Sequence, residues 1–293
     1  MRGRKWDFYK ANLTNKAKLF ARQPRYLLFY LDRFRKYSST QAFDAFIISY
    51  PKSGRTWLQK MLIEAVRLEK GVDIDLADIS ALNTHITDFP NLLSTHAGSS
   101  WEEVVKDHEQ IKVDDLAKYQ HGQIIYLYRD PRDILVSQYY HILHRSGYQT
   151  FDRDYVIDNP NVGLLKIINF MNKWADYTIA HPDQIVPVAY HALKEAPSDY
   201  LTQILDLIDY PVQAAHITQA ISNCTLQRMR QKESSDSANP WANTDGKSAG
   251  NPNSFHSRKG ITGEYKTFFS AEEINKINDI ISNNLHPYYS AYL

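Results

Sequence analysis

Apolar residues follow two rhythms along this chain. A short unbroken run, Asp44 to Ser49 (DAFIIS), suits a buried parallel strand, and Tyr50 to Gly54 follow it as a turn. From Arg55 to about Glu69 the apolar positions Trp57, Leu58, Met61, Leu62, Ala65, Val66 and Leu68 recur at helical spacing, so the unit reads strand, loop, helix. The unit then repeats. Gln123 to Tyr128 (QIIYLY) predicts a second strand, Arg129 to Pro131 a turn, and the following residues a helix to about Arg145. Pro131 suits the first helical turn, where its missing N–H is not needed. Val162 to Ala180 predicts an amphipathic helix, and Gln184 to Tyr190 (QIVPVAY) a third strand whose Pro187 points to an edge or an irregularity. Further helices are expected near Ser198 to Ile208, Gln213 to Gln231 and Ala271 to Leu285. Strands alternating with helices predict an α/β fold with a central parallel sheet flanked by helices on both faces.

At 293 residues and 43% hydrophobic content the chain can bury one large core, so a single domain over residues 41–293 is expected. The tract 233–263 breaks the pattern, being rich in Ser, Asn, Gly and Pro. So long an irregular stretch is expected to be a lid over a site. Residues 1–40 are expected to be a basic helical extension, since residues 1–36 hold 11 Lys or Arg against Asp7 and Asp32. This leader also carries the apolar cluster Tyr26 to Leu31 between Arg25 and Arg33. Two readings follow: a helix packed on the domain with its charges in water, or peripheral contact with an anionic membrane. No nucleic-acid partner is expected. The single cysteine, Cys224, cannot form an internal disulfide. There is also no run of about 20 apolar residues and no apolar signal-peptide core, so a cytoplasmic protein is expected.

The first turn carries chemistry. A strand that ends in a tight Gly-containing loop and feeds a helix presents backbone N–H groups at the positive end of the helix dipole, which suits a phosphate. In Tyr50-Pro51-Lys52-Ser53-Gly54-Arg55-Thr56-Trp57, Lys52 adds a mobile positive charge, and Ser53 and Thr56 add hydroxyl donors. The domain is thus P-loop-like. Lysine precedes glycine here, however, whereas a Walker A loop ends Gly-Lys-Ser/Thr, and an ordinary Mg-ATP site is disfavoured. Tyr128 to Tyr140 (YRDPRDILVSQYY) spans the end of the second strand, its turn and the first turns of the next helix.

These segments resemble the sulfotransferases that use 3'-phosphoadenosine 5'-phosphosulfate (PAPS), of the cytosolic and bacterial type. The octapeptide is similar to their Tyr-Pro-Lys-Ser-Gly-Thr-Thr-Trp loop for the 5'-phosphosulfate, departing at Arg55. The resemblance implies that Arg129 and Ser137 grip the 3'-phosphate. Arg258 to Lys266 (RKGITGEYK) resembles the family's Arg-Lys-Gly-x-x-Gly-Asp-Trp-Lys segment, which implies that Arg258, Lys259 and Gly260 close on the same phosphate. Tyr190 resembles the tyrosine that contacts the adenine, and weaker matches put Thr225 and Leu226 near the base. PAPS would be the donor, adenosine 3',5'-bisphosphate (PAP) the product, and no metal would be required.

Sulfuryl transfer needs a base for the acceptor's proton and positive groups for charge on the leaving oxygen. The resemblance implies a histidine base between the two phosphate motifs, where His85, His96, His108 and His121 stand. His96 is the best candidate because Thr95-His96 follows the apolar Leu92-Leu93 and resembles the family's step after a strand. His85 is the runner-up, and a plain surface histidine is the simpler alternative for either. Ser94 occupies the place of a lysine found in many members. Lys52 would donate to the bridging oxygen, with Ser137 able to hold it away until acceptor arrives, giving direct in-line displacement. The acceptor stays open among phenols, alcohols, amines and glycans. Trp101, Tyr148, Phe151, Trp241 and Phe255 could stack on it or serve as core or lid. Lys266 to Asn275 only weakly resembles the family's dimerisation segment, leaving monomer or homodimer. Two other classes are a small-molecule kinase, which would require Mg-ATP, and a non-catalytic PAPS or PAP binder, which would lack a working base.

Overall fold

The computed structural model of the protein describes residues 40–76, 78–99, 115–145, 152–159, 162–235, 253, 255 and 257–293. Its centre is a parallel sheet of β1 (Ala45–Ser49), β2 (Leu92–Thr95), β3 (Gln123–Tyr128) and β4 (Ile185–Ala189), in the order β2-β1-β3-β4. The register pairs Ile47 with Ser94 and with Ile125, and Tyr126 with Pro187. β4 is thus an edge strand among the described ones, where proline removes no ladder bond that the sheet needs. The run Leu92–Thr95, which sequence reading approached only through the step after it, is fully buried.

Strand residues alternate between two buried clusters, one on each face. Phe46, Ile48, Ile124 and Tyr126 point to a core shared with α2 (Pro131–Arg145), α3 (Arg153–Asp158), α4 (Leu164–Ala180) and α10 (Ala271–Asn284). Ala45, Ile47, Ile125, Leu127 and Val188 point to the other, built with α1 (Arg55–Lys70), α6 (Pro197–Leu207) and α7 (Ala214–Asn223). A sheet covered on both faces is what parallel strands require, and each fully buried aliphatic or aromatic side chain contributes about 1.5–3 kcal/mol. The short helices α5 (Tyr190–Glu195) and α9 (Tyr265–Phe268) went unread in the sequence, being too short for a periodic signal.

The helix expected over Gln213 to Gln231 is instead two, α7 and α8 (Leu226–Ser235). The break has a cause. In a continuous helix the Cys224 carbonyl would accept from the Arg228 N–H. Here it accepts from Trp57 Nε1 at 3.0 Å, and the Arg228 N–H turns to the Thr225 hydroxyl at 3.4 Å. Thr225 therefore caps a new helix.

Chain direction decides where a ligand can sit. β1 is followed by a crossover to β2 on one side, while β3, its other neighbour, is followed by a crossover to β4 on the far side. Strand order reverses between β1 and β3, and the crevice outside their carboxyl ends is where open α/β sheets bind ligands.

The expected extension over residues 1–40 and most of the expected lid, 236–252 with 254 and 256, lie outside the described residues. Among the described residues no helix is long and apolar enough to cross a membrane.

Candidate active site

Every strand of the sheet ends at a residue singled out from the sequence: Lys52 follows β1, His96 follows β2, Arg129 follows β3 and Tyr190 follows β4. One edge of the sheet thus collects four side chains that are far apart in sequence.

The loop after β1 is shaped by its backbone. Lys52 has φ 73° and Gly54 φ 101°, both left-handed. At Gly54 only glycine fits, because a Cβ would stand 2.5 Å from the ring of Tyr190. Tyr190 is the hub. Its ring meets Trp57 edge-on at 6.1 Å and carries the Arg129 guanidinium over its face at 4.6 Å. A Cβ on Gly260 would lie 3.6 Å from its hydroxyl and 3.7 Å from Leu226. Ser53, Gly54, Trp57, Tyr190, Leu226 and Gly260 therefore converge, with Arg55 and Thr56 opening α1 beside them. Burial pushes the Tyr190 hydroxyl up despite the opposing charge of Arg129, so the ring stays neutral.

The two arginines are held alike. Arg129 is 8% exposed; its Nη1 donates to the Lys52 carbonyl at 3.3 Å and its Nη2 to the Ile261 carbonyl at 2.8 Å, with its face on Tyr190. Arg258 is 9% exposed; both its Nη groups donate to the Glu264 carboxylate, Nη1 at 2.7 Å, and its face lies 4.2 Å from the Tyr140 ring. Lys259 joins the same carboxylate at 3.0 Å. Asp133 fastens the two halves together. It sits 3.7 Å from Arg129 Nη2 and accepts from the Gly263 N–H at 2.8 Å. Burial pushes the Asp133 carboxyl up although Arg129 and the Gly263 amide pull it down.

Among the buried donors of the described residues that have no hydrogen-bond partner are Ser53 Oγ, Arg129 Nε and Arg258 Nε. Buried donors are otherwise almost always paired. A hydroxyl and two guanidinium edges at the sheet's carboxyl end fit an anionic ligand.

His96 is fixed by Nδ1, which lies 2.8 Å from the Ser49 carbonyl. A carbonyl only accepts, so Nδ1 holds the proton and Nε2 of the neutral ring is the basic nitrogen. Lys52 Nζ is 3.5 Å from His141 Nδ1, one turn beyond Ser137 on α2. Lysine only donates, so His141 Nδ1 is the acceptor. Sequence reasoning missed His141 and Glu264; the histidine's position one turn after Ser137 was the available signal. Ser94 is buried and its Oγ accepts from Gln59 at 2.7 Å, so this position packs into the α1 interface.

Other candidates stand apart. Thr225 is exposed and serves as the cap of α8, while Leu226 beside it reaches Gly260. His85 is exposed in the connection before β2, and His121 Nε2 is 2.9 Å from the Thr40 carbonyl, at the amino end of β3. His108, Trp101, Tyr148, Phe151 and Trp241 lie outside the described residues, and Phe255 packs under the Arg230 guanidinium at 5.5 Å. Burial pushes the Cys224 thiol up to about 12, which leaves it unreactive. No group of three or more His, Cys, Asp or Glu among the described residues could hold a metal ion.

The family pattern described as the sulfotransferase domain matches residues 43–288, and the chain belongs to that family. It is a PAPS-dependent sulfotransferase. The flavonol 3-sulfotransferase of Flaveria bidentis is 22% identical over 258 residues, covering 83% of this chain and 81% of the relative. Cytosolic sulfotransferase 3 of Arabidopsis thaliana is 24% identical over 274 residues, covering 87% and 81%. Mouse sulfotransferase SULT7A1 complexed with PAP has a similar fold, with a TM-score of 0.57 at 16% identity over 84% of this chain and 86% of that one. Retinol dehydratase in complex with androsterone and PAP gives a TM-score of 0.58 at 14% identity over 82% and 80%.

Proposed function

We propose that this site moves a sulfuryl group from PAPS to the hydroxyl of a small, largely apolar acceptor, with His96 as the base and Lys52 at the leaving oxygen. The observation that carries the reading is the convergence of Lys52, His96, Arg129 and Tyr190 at the ends of four parallel strands. The donor, when bound, supplies an activated sulfuryl group. Ser53, Gly54, Arg55, Thr56 and Trp57 hold its 5' end at the start of α1, Arg129, Ser137, Arg258, Lys259 and Gly260 hold the 3'-phosphate, and Tyr190 and Leu226 flank the base. Thr225 contributes only by starting α8.

His96 Nε2 takes the acceptor's proton, and the Ser49 carbonyl on Nδ1 keeps that tautomer and steadies the imidazolium that forms. Lys52 places its ammonium where negative charge grows on the departing nucleotide. His141 stands 3.5 Å from the Lys52 ammonium, and Ser137 lies one turn before it on α2. A hydroxyl acceptor is supported by relatives named for flavonols and by solved neighbours whose titles name retinol and androsterone. A cytosolic setting is supported by the names of several relatives.

The test is transfer from radiolabelled PAPS to a panel holding a flavonol, retinol and androsterone. Transfer to at least one hydroxyl is expected, with His96→Ala lowering kcat by about 100-fold or more while PAP affinity is unchanged. Turnover of His96→Ala within a few-fold of wild type would remove His96 as the base.

A further inference from the structure

Arg258 is held on one face and one edge by side chains alone. A guanidinium has five N–H donors in one plane, so fixing its face and one edge determines where the other edge points. The Tyr140 ring covers the face at 4.2 Å. The Glu264 carboxylate takes the edge formed by the two Nη groups, Oε1 from Nη1 at 2.7 Å and Oε2 from Nη2. Nε, on the other edge, is buried with no partner among the described residues.

The carboxylate is itself anchored. Glu264 is 6% exposed and stands at the N-cap of α9, its carbonyl accepting from the Thr267 and Phe268 amides at 3.1 and 3.2 Å. The turn around it is pinned to α2, because Asp133 accepts from the Gly263 and Tyr265 amides. Lys259 Nζ, half exposed, closes on Glu264 Oε1 from the solvent side at 3.0 Å. One carboxylate therefore gathers two cations, and the cluster keeps a net positive charge. Burial alone would push Glu264 up, but the hydrogen bonds from Arg258 and Lys259 overcome it and hold the carboxyl below its usual range.

We infer that Glu264, with Tyr140, is a positioning residue for 3'-phosphate recognition: it occupies one edge of Arg258 so that the Nε edge is presented to the nucleotide. The inference rests on the donor site proposed above. Glu264 touches neither the reacting atoms nor the nucleotide. It does not compete for the anion, since an end-on pair with the carboxylate leaves the Nε–H and an outer Nη2–H for a second oxyanion. Removing its charge frees Arg258 to turn over the Tyr140 ring and leaves Lys259 in solvent, and the loss falls on the ligand that carries a 3'-phosphate.

The test is calorimetric titration of the full chain with PAP and with AMP, which lacks the 3'-phosphate, for wild type, Glu264→Gln, Glu264→Asp and Tyr140→Leu. The expected result for Glu264→Gln is a loss of PAP affinity of about 10-fold or more with AMP affinity unchanged. Glu264→Asp, which keeps the charge, should recover most of the loss. Tyr140→Leu should lose about three- to tenfold for PAP alone. Equal losses for PAP and AMP in Glu264→Gln, unchanged PAP affinity, or tighter PAP binding would each overturn the inference. The first would make Glu264 merely structural and the last would make it a competitor. Wild type binding PAP and AMP equally well would instead remove the donor-site reading on which the inference stands.

Discussion

The two halves of the proposed donor site are built by different means. The loop after β1 is a backbone device: Lys52 and Gly54 take left-handed conformations, Tyr190 closes against Gly54, and α1 starts at once. The opposite half is a side-chain device. Arg129 and Arg258 come from positions 129 residues apart in the chain, and each is fixed by a tyrosine face and protein oxygens. A backbone device fails as a whole when one residue cannot adopt its conformation, whereas a side-chain device loses function one contact at a time.

The sharpest way to break this contrast is to substitute one residue in each half. Gly54→Ala sets a Cβ 2.5 Å from the Tyr190 ring at a φ that alanine disfavours. It should weaken PAP and AMP alike, by about 100-fold or more. Arg258→Ala should weaken PAP by about 10- to 100-fold and leave AMP untouched, because only the 3'-phosphate is lost to it. Titration of both ligands on both variants checks the pair. Equal effects of Arg258→Ala on PAP and AMP would dissolve the division into two halves.

A smaller effect isolates the acid that holds Arg258 from the phosphate role proposed for that arginine. Glu264 is depressed in the folded protein, so the stability it contributes is present above the ordinary carboxylate range and is lost as pH falls through its lower folded pKa. The destabilisation of Glu264→Gln should therefore be full at pH 7 and fade below a pH of about 4, as read from denaturation midpoints across that range. A difference from wild type that stays constant to low pH would mean that the ion pair contributes nothing to stability.

The contrast also explains what the sequence disclosed. The β1 loop was legible because its chemistry depends on residues in a fixed order on one short segment, and the same holds for the step from β3 to Arg129. The parallel sheet was legible because strands buried on both faces read as unbroken apolar runs, and Pro187 marked β4 as an edge or an irregular strand, of which the sheet order shows the edge. The break between α7 and α8 was not, since it depends on the Trp57 indole taking the Cys224 carbonyl from 167 residues away. Glu264 escaped notice for a related reason: an acid inside a basic motif reads as a solvated charge until its partners are known. His141 joined the site only when α2 laid it beside Lys52.

The measurement that bears most directly on the whole is a thermal-shift titration of the wild-type chain with PAP against AMP and Mg-ATP, because a ligand that binds only the native state raises the melting temperature. A shift for PAP well above that for AMP, with Mg-ATP no better than AMP, is the predicted result and would mean that the 3'-phosphate is read by Arg129 and Arg258. No shift with PAP, or a larger one with Mg-ATP, would contradict the assignment of these residues to the donor.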